Sequence, residues 1–464
     1  MSVVIEEPTA EPLSLRRIAT TWWPLAASWL LMGVEGPAIS AVVARLIDPK
    51  INLAAYGGVV FPLALLIESP VVMLLAASTA LSKDLPSYRR LRTFMHGLSA
   101  LLTLAHVVIA FTPLSYVVVR DIIGAPPEVV APARLGLMIM VPWTWAIAYR
   151  RFNQGVLIRY GHSLAVGVGT LVRLSADGLV LLVGYMLGSV PGIIVAVLAI
   201  DAGVLSEAIY VRLRVRPVVR ERLKVKSDGP RLGFRAFLAF YLPLSLTSVI
   251  SLMTSPVGSA ALSRMPSALE SLAVWPVATG VSFLFRSFGF AYNEVVVALI
   301  EEPGVAPRLR RFTLLIAVAT TLALTILLIP PVGSFLFLTV FGLPLNLADL
   351  ARASVWLALP MPALSVLQSW YQGIILNSRR TRVISEAVIL SLAVIVALLG
   401  TGVVHGGVTG LYVGVGALTA GELLRTFWLW WRSRGVRAHL YLRDAPLVTP
   451  PASDARPPGA QPVG

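Results

Sequence analysis

No cysteine occurs in the chain, which excludes disulfides, thiolate metal sites and cysteine nucleophiles. Charge is scarce as well. Only 13% of the 464 residues are Asp, Glu, Lys or Arg, where a soluble domain uses about 25% to cover its surface. Acidic residues are the scarcer sign, 23 against 38 Lys and Arg, for a net charge of +15. The phosphate-cradling GxxxxGK[ST] pattern is missing, so direct driving by ATP is not expected. DDxxD, GxSxG and paired-histidine motifs are missing too, so no membrane-embedded enzyme is expected, and no metal or cofactor. What the chain has in quantity is apolar sequence. Hydrophobic residues make up 57%, mean hydropathy is +0.81, and the apolar residues come in long runs rather than once per helical turn. Runs of about 18 or more such residues span a bilayer, so the chain reads as a polytopic membrane protein. Its basic residues sit in short loops between apolar spans. They set topology and meet anionic lipid head groups, and nucleic acid is not an expected partner.

Apolar windows between polar clusters predict twelve spans, at 20–44, 53–81, 91–119, 129–155, 164–187, 190–213, 232–262, 270–299, 308–337, 350–376, 382–403 and 407–431. Alternate loops are rich in Lys and Arg: Arg16/Arg17, Lys83 to Arg92, Arg150/Arg151/Arg159, the 212–235 segment, Arg308 to Arg311, Arg379 to Arg382 and Arg432 to Arg443. The opposite loops hold only Arg45, Lys50, Arg120, Arg134, Arg264 and Arg352. The positive-inside bias then places both termini in the cytoplasm, with the chain in the plasma or inner membrane. The expected organisation is a cytoplasmic segment 1–19, an N-lobe 20–213, a basic linker 214–231, a C-lobe 232–433 and a disordered, Pro-rich tail 434–464.

The two halves repeat. Pro24-Leu25 recurs 219 residues later as Pro243-Leu244, and Gly36-Pro37 through Arg45 aligns with Ser255-Pro256 through Arg264 at the same offset. One residue out of step, Arg134, Pro142 and Gln154-Gly155 fall on Arg352, Pro360 and Gln372-Gly373. Matching prolines imply matching kinks. Six spans per half insert both halves in one direction, related by an axis along the membrane normal. The fold class is therefore an all-α membrane protein of twelve transmembrane helices, arranged as two pseudo-symmetric six-helix bundles.

An ionisable side chain at mid-bilayer costs about 2.5–3.5 kcal/mol on insertion scales, so each one asks for a reason. Glu35 stands beside Gly36-Pro37, Glu68 beside Ser69-Pro70, and Arg286 at the repeat position beside that of Glu68, with Glu294 two turns on. If their spans face one cleft, Glu35, Glu68 and Arg286 converge as a carboxylate pair for a proton or sodium ion and a guanidinium for an anionic group; the alternative is a structural ion pair. Asp201 has no partner at helical spacing and is a further coupling candidate. Arg173 and Asp177, i and i+4, are expected to neutralise each other. Glu422 and Arg425 are expected as packing polar groups, with Glu207 in the place equivalent to Glu422. Gln154 and Gln372 read as capping or gate residues. His96 and His106 are given no role, and Trp22, Trp23, Trp428, Trp430 and Trp431 read as an interfacial belt.

Leu53-Ala54-Ala55-Tyr56-Gly57 followed by Glu68-Ser69-Pro70, Ala273-Val274-Trp275-Pro276-Val277, and Val404-His405-Gly406 running into Val413 to Leu418 with Gly421-Glu422 resemble the progressive ankylosis protein family. That family is similar in turn to the multidrug and toxin extrusion (MATE) transporters and the lipid-linked-sugar flippases of one superfamily. The resemblance implies a MATE-like two-lobed fold with alternating access through a cleft lined by spans 1, 2, 7 and 8, and export of pyrophosphate-, nucleotide- or citrate-like anions. The expected function is a monomeric secondary transporter exporting a small organic solute, anionic or drug-like, coupled to a proton or sodium gradient. A lipid-linked saccharide flippase is the alternative, and it would show several cationic residues in the cleft. A channel would also fit the repeat, but mid-span kinks favour moving lobes.

Overall fold

The computed structural model describes residues 14–223, 233–302, 304–378 and 382–444. All described elements are helical. The long helices are α1 (Leu15–Val43), α2 (Pro49–Leu81), α3 (Leu85–Phe111), α4 (Pro127–Ile139 and Val141–Arg159, bent by 45°), α5 (Ser163–Leu187), α6 (Gly192–Arg222), α7 (Phe234–Leu252 and Thr254–Leu262), α8 (Ala268–Leu299), α9 (Ala306–Leu328), α10 (Leu345–Asn377), α11 (Arg382–His405), α12 (Gly410–Arg432) and a short α13 (Arg434–Arg443). Among them ten are long and apolar enough to cross a membrane, or eleven with the bent α4 counted as one span. The remaining expected span, 407–431, does form the 23-residue α12. It stays outside that count because Glu422 and Arg425 interrupt its apolar run.

Local sequence explains the ends and the breaks. Asp84 accepts the Ser87 N–H at 2.8 Å to start α3, a side-chain N-cap. Pro126 and Pro344 precede the first residues of α4 and α10, where a missing N–H is harmless. Inside α2 the ladder changes pitch twice: 54–60 is a π-helix, and Ser69-Pro70-Val71 a 3₁₀ turn. Pro70 donates no hydrogen bond, and its carbonyl is taken by the Tyr241 hydroxyl of α7. The sequence motif Glu68-Ser69-Pro70 is thus a break through which the first half touches the second.

Corresponding contacts recur in the halves. Asn52 Oδ1 accepts the Ile193 N–H at 3.0 Å, tying the start of α2 to that of α6. Ser271 Oγ accepts the Leu411 N–H at 3.1 Å and does the same for α8 and α12. Two short π-helices, Val117–Ile122 and Phe335–Val340, precede α4 and α10 in turn. Each ends in a left-handed glycine, Gly124 (φ 76°) or Gly342 (φ 68°).

These short helices are where the halves are joined at the end opposite the basic loops. Arg264, at the end of α7, donates to the carbonyls of Asp121, Ile122 and Ile123 at 2.8–2.9 Å. Arg45, at the end of α1, donates to those of Thr339 and Val340. Each arginine therefore caps a helix C-terminus in the other half, filling carbonyls that have no partner in their own helix and meeting the negative end of its dipole. A Cβ on Gly124 or Gly342 would lie 3.0 or 2.9 Å from the guanidinium, so only glycine gives both the backbone turn and the close approach. Lys50 and Glu270 add an ion pair of 2.8 Å beside them.

Two boundaries differ from expectation. Helix α6 runs on to Arg222 instead of ending at 213, so the first part of the expected linker 214–231 is helix; residues 224–232 lie outside the described residues, as do 1–13. The stretch from 434, expected to be disordered, opens with α13. It is held by Asp444, which accepts the Ala306 N–H at 2.8 Å, and by Arg443, which donates to the carbonyls of Ile300 and Glu302. Partial burial would raise the Asp444 carboxyl, but Arg443 and the N–H groups of Ala306 and Gly304 hold it below the ordinary value. Residues 445–464 lie outside the described residues. Trp22, expected in an interfacial belt, instead packs against Phe288 and Phe312 and donates to the Phe288 carbonyl at 3.1 Å.

Gly57 of α2 lies directly against Pro276 of α8, where an added Cβ would come within 2.3 Å of the proline Cβ. Gly57→Ala should lose about 1–3 kcal/mol through overpacking, read as a lower unfolding temperature in detergent. Gly97→Ala, with open space around its Cβ, should leave that temperature unchanged or raise it.

Candidate functional site

Helices α1, α2, α4, α5 and α6 enclose a cavity of about 160 Å³ lined by Glu35, Tyr56, Glu68, Arg150, Arg151 and Arg173. The charged groups are linked. Arg173 forms an ion pair with Glu35 at 3.0 Å and lies 3.9 Å from Glu207. Arg150 also pairs with Glu207, and Gln154 donates to its other oxygen at 2.8 Å. Asp177 sits beside Glu35, and neither of its oxygens meets a donor. It is seated on Gly203 of α6, where an added Cβ would fall 1.6 Å from Oδ1. Glu68 is 5% exposed, and its Oε2 has no partner. Four carboxylates (Glu35, Glu68, Asp177, Glu207) thus face three guanidiniums (Arg150, Arg151, Arg173). With every group ionised the cluster carries one negative charge in excess, and a proton or small cation balances it.

A second cluster lies between α8, α10 and α12. Arg286 donates to Glu422 at 2.8 Å, Gln368 to the other Glu422 oxygen at 2.8 Å, and Arg425 lies 3.8 Å away. Gln368 also bonds Thr426 at 2.9 Å. This resembles the Gln154–Glu207 bridge of the first half: Glu422 stands in the place equivalent to Glu207, and its glutamine partner Gln368 lies one turn before Gln372, the residue that repeats Gln154. The charge balance is opposite, two guanidiniums against one carboxylate.

The geometry rearranges the sequence reading. Glu35 and Glu68 do share a cavity, but Arg286 does not join them; it is held by Glu422 in the other half. Arg173 does not neutralise Asp177, because it turns to Glu35 and Glu207. Arg150 and Arg151, read as loop charges, are inside: Arg150 is 5% exposed, and both line the cavity. They fall within the apolar span 129–155, and that position was the signal of their burial. Gln368 was missed because nothing marks it out from Gln372 except that it lies one turn earlier. Asp201 is buried with Oδ1 unpartnered, and Glu294 is exposed, outside both clusters. His106 Nδ1 bonds the Thr144 hydroxyl at 2.8 Å, while its buried Nε2 has no partner. Among the described residues no group of three or more His, Asp or Glu is placed to hold a metal ion.

Breaking a buried ion pair strands a charge, which costs about 3–5 kcal/mol, whereas removing both partners costs much less. Arg150→Met should therefore destabilise the protein by that amount, and Arg150→Met with Glu207→Met by clearly less than the sum of the two single changes. A double-mutant cycle of unfolding in detergent measures this.

No family model matches the chain. Solved structures do resemble it over nearly their whole length. A multidrug resistance MATE family transporter of the MOP superfamily in an inward-facing conformation aligns with a TM-score of 0.61 at 14% identity, covering 90% of this chain and 99% of that one. A MOP superfamily transporter from Pyrococcus furiosus, described by the reverse polarity of its binding pocket, gives 0.59 at 16%, with 93% and 100% covered. The lipid II flippase MurJ, in an inward closed conformation, gives 0.62 at 15%, with 90% of each chain covered. At these identities the likeness speaks for architecture: this chain has the MATE-like fold of MOP superfamily transporters.

Proposed function

We propose that the chain is a secondary transporter that exports a small organic solute by alternating access, coupled to a proton or sodium ion in the cavity of its first half. The observation that carries the coupling is the extra carboxylate there. Glu68, which lines the cavity, and Asp177, which sits behind it beside Glu35, have buried oxygens without donors, and a low-dielectric site is where an ion is taken up and released with the largest energetic consequence. In this reading residues 20–213 and 232–433 are two lobes of six spans each, α1 to α6 and α7 to α12, acting as a monomer with both termini in the cytoplasm. Glu35, Glu68 and Asp177 exchange the ion, Asp201 is a secondary candidate, and Gln154 and Gln368 steer the carboxylates beside them.

The arginine caps at Arg45 and Arg264, with Lys50–Glu270, then close the outward end between the lobes. An inward-facing or inward-closed state fits that closure, and the solved structures in such states align at 0.61 and 0.62, against 0.56 for an outward-facing MATE family transporter. The opposite polarity of the two clusters suits a cycle in which the carboxylate-rich lobe handles a cation and the arginine-rich lobe an anionic or polar group of the solute. The progressive ankylosis resemblance favours an organic anion. A flippase carrying a lipid diphosphate would need free guanidiniums in the cleft. Arg150, Arg173 and Arg286 each hold a carboxylate instead, so solute export is favoured.

Two outcomes follow. In liposomes challenged with pyrophosphate, citrate, ATP and a cationic dye under imposed proton or sodium gradients, wild-type uptake should follow one gradient. Asp177→Asn and Glu35→Gln should reduce the gradient response about tenfold or more, with unchanged gradient dependence in both counting against the mechanism. Because the native chain has no cysteine, a single Leu272→Cys, placed under the Gly58 contact, reports opening of the outward end. Adding Arg45→Met and Arg264→Met should speed its labelling by an impermeant maleimide about tenfold, as losing about 1.4 kcal/mol of capping implies.

A further inference from the structure

A second cavity, of about 430 Å³, opens on the outer side of the first half, between α3, α4 and α6. Its chemistry is graded along the helices. Helix α3 runs away from the basic loops while α4 and α6 run toward them. Tyr88, Asn153, Arg216 and Arg220 therefore lie at the basic end of the groove, and His96 and Trp145 lie deeper. Arg212, Arg216 and Arg220 succeed one another at i, i+4, i+8 on α6, a like-charge row that is unfavourable unless something neutralises it. Arg92 of α3 faces them beside Tyr88. Among the described residues, no carboxylate forms an ion pair with any of these four arginines. At the deep end the lining is aromatic. Trp145 and Tyr149 stack at 4.9 Å, and His96 stacks on Trp145 at 6.2 Å. Trp145 is 37% exposed, and Ile209 and Leu213 beside the groove are 61% and 56% exposed, an apolar margin that belongs against acyl chains.

A cationic mouth at the level of the basic loops, an aromatic floor one to two turns deeper and an apolar margin match one class of molecule from end to end. We propose that this groove binds an anionic phospholipid, its phosphate among Arg92, Arg212, Arg216 and Arg220 and its glycerol and upper acyl chains against Tyr149 and Trp145. Guanidinium forks suit phosphate oxygens, and aromatic rings with one polar and one apolar side suit the head-group depth. A soluble phosphate would use the arginines but leave the aromatic floor and the apolar margin without a role. The bound lipid neutralises the row on α6 and stiffens the helix that carries Gly203 and Glu207 of the ion site, so lipid composition becomes a determinant of that site's rigidity. The binding claim itself stands apart from the transport reading.

The test is native mass spectrometry of the full-length protein in detergent, titrated with phosphatidylglycerol, with phosphatidylcholine and with inorganic phosphate. Each neutralised arginine near a membrane surface weakens anionic-lipid attraction by a factor of about five. Arg212→Gln with Arg216→Gln should therefore weaken phosphatidylglycerol retention about thirtyfold and leave phosphatidylcholine unaffected. Arg214→Gln with Arg222→Gln, on the same helix but outside the groove, should retain the lipid as the wild type does. Unfolding without added lipid confirms that both variants fold. Equal retention by the groove variant, or equal loss in the control pair, overturns the site. Displacement of the lipid by equimolar inorganic phosphate would overturn the assignment to lipid in favour of a soluble anion.

Discussion

Placing charged side chains among helices that face lipid is the constraint from which most of this architecture follows. Each such charge needs a partner of opposite sign, and partners must come from different helices to hold the bundle in one arrangement. In the first half that need draws α1, α4, α5 and α6 around Arg173, Glu207 and Arg150. The close fit of α5 on α6 at Gly203 exists because Asp177 fills the space a side chain would take. Counted against the three guanidiniums, one carboxylate is in excess, and in the proposed reading that excess, rather than any single residue, gives the cavity its capacity for an exchangeable ion.

The same economy of polar groups governs how the halves meet. Backbone carbonyls at the ends of short helices have no intrahelical partners. Arg45 and Arg264 supply those partners reciprocally, so closing one face of the molecule and finishing two helices are one event. Pro70 works similarly, since the carbonyl beside its 3₁₀ turn is completed by Tyr241 from the other half. Contacts of this kind are few and directional, unlike apolar packing. They can be exchanged as a set when two bodies rock, which suits alternating access better than a fixed pore would.

The helix framework was legible because apolar runs, prolines and the basic-loop alternation are properties of the chain itself. The MATE-like fold was legible through the resemblance carried by Glu68-Ser69-Pro70 and Ala273 to Val277. The wiring of the charges was not. Arg173 had a carboxylate one turn away in Asp177, yet pairs with Glu35, 138 residues distant in sequence, because interior rotamers follow neighbouring helices more than their own. Arg286 was expected to meet Glu35 and Glu68 because it lies beside the repeat position of Glu68, but Glu422 of its own half takes it instead. Arg150 and Arg151 were hidden by the habit of assigning arginines near a span's end to the loop. The tail from 434 was judged by composition, which missed the docking of Arg443 and Asp444 on the start of α9.

The central proposal is that the first half holds one exchangeable cation, balancing the carboxylate that its three arginines leave in excess. The direct measurement is the ion-to-solute stoichiometry of purified protein in liposomes, taken from the membrane potential at which net solute flux vanishes under opposing gradients. The account predicts a flux that reverses with the proton or sodium gradient at a ratio of one ion per turnover in the wild type, and loss of that dependence in Asp177→Asn. A wild-type flux that ignores both gradients, or an Asp177→Asn flux with the same reversal potential as the wild type, would contradict it.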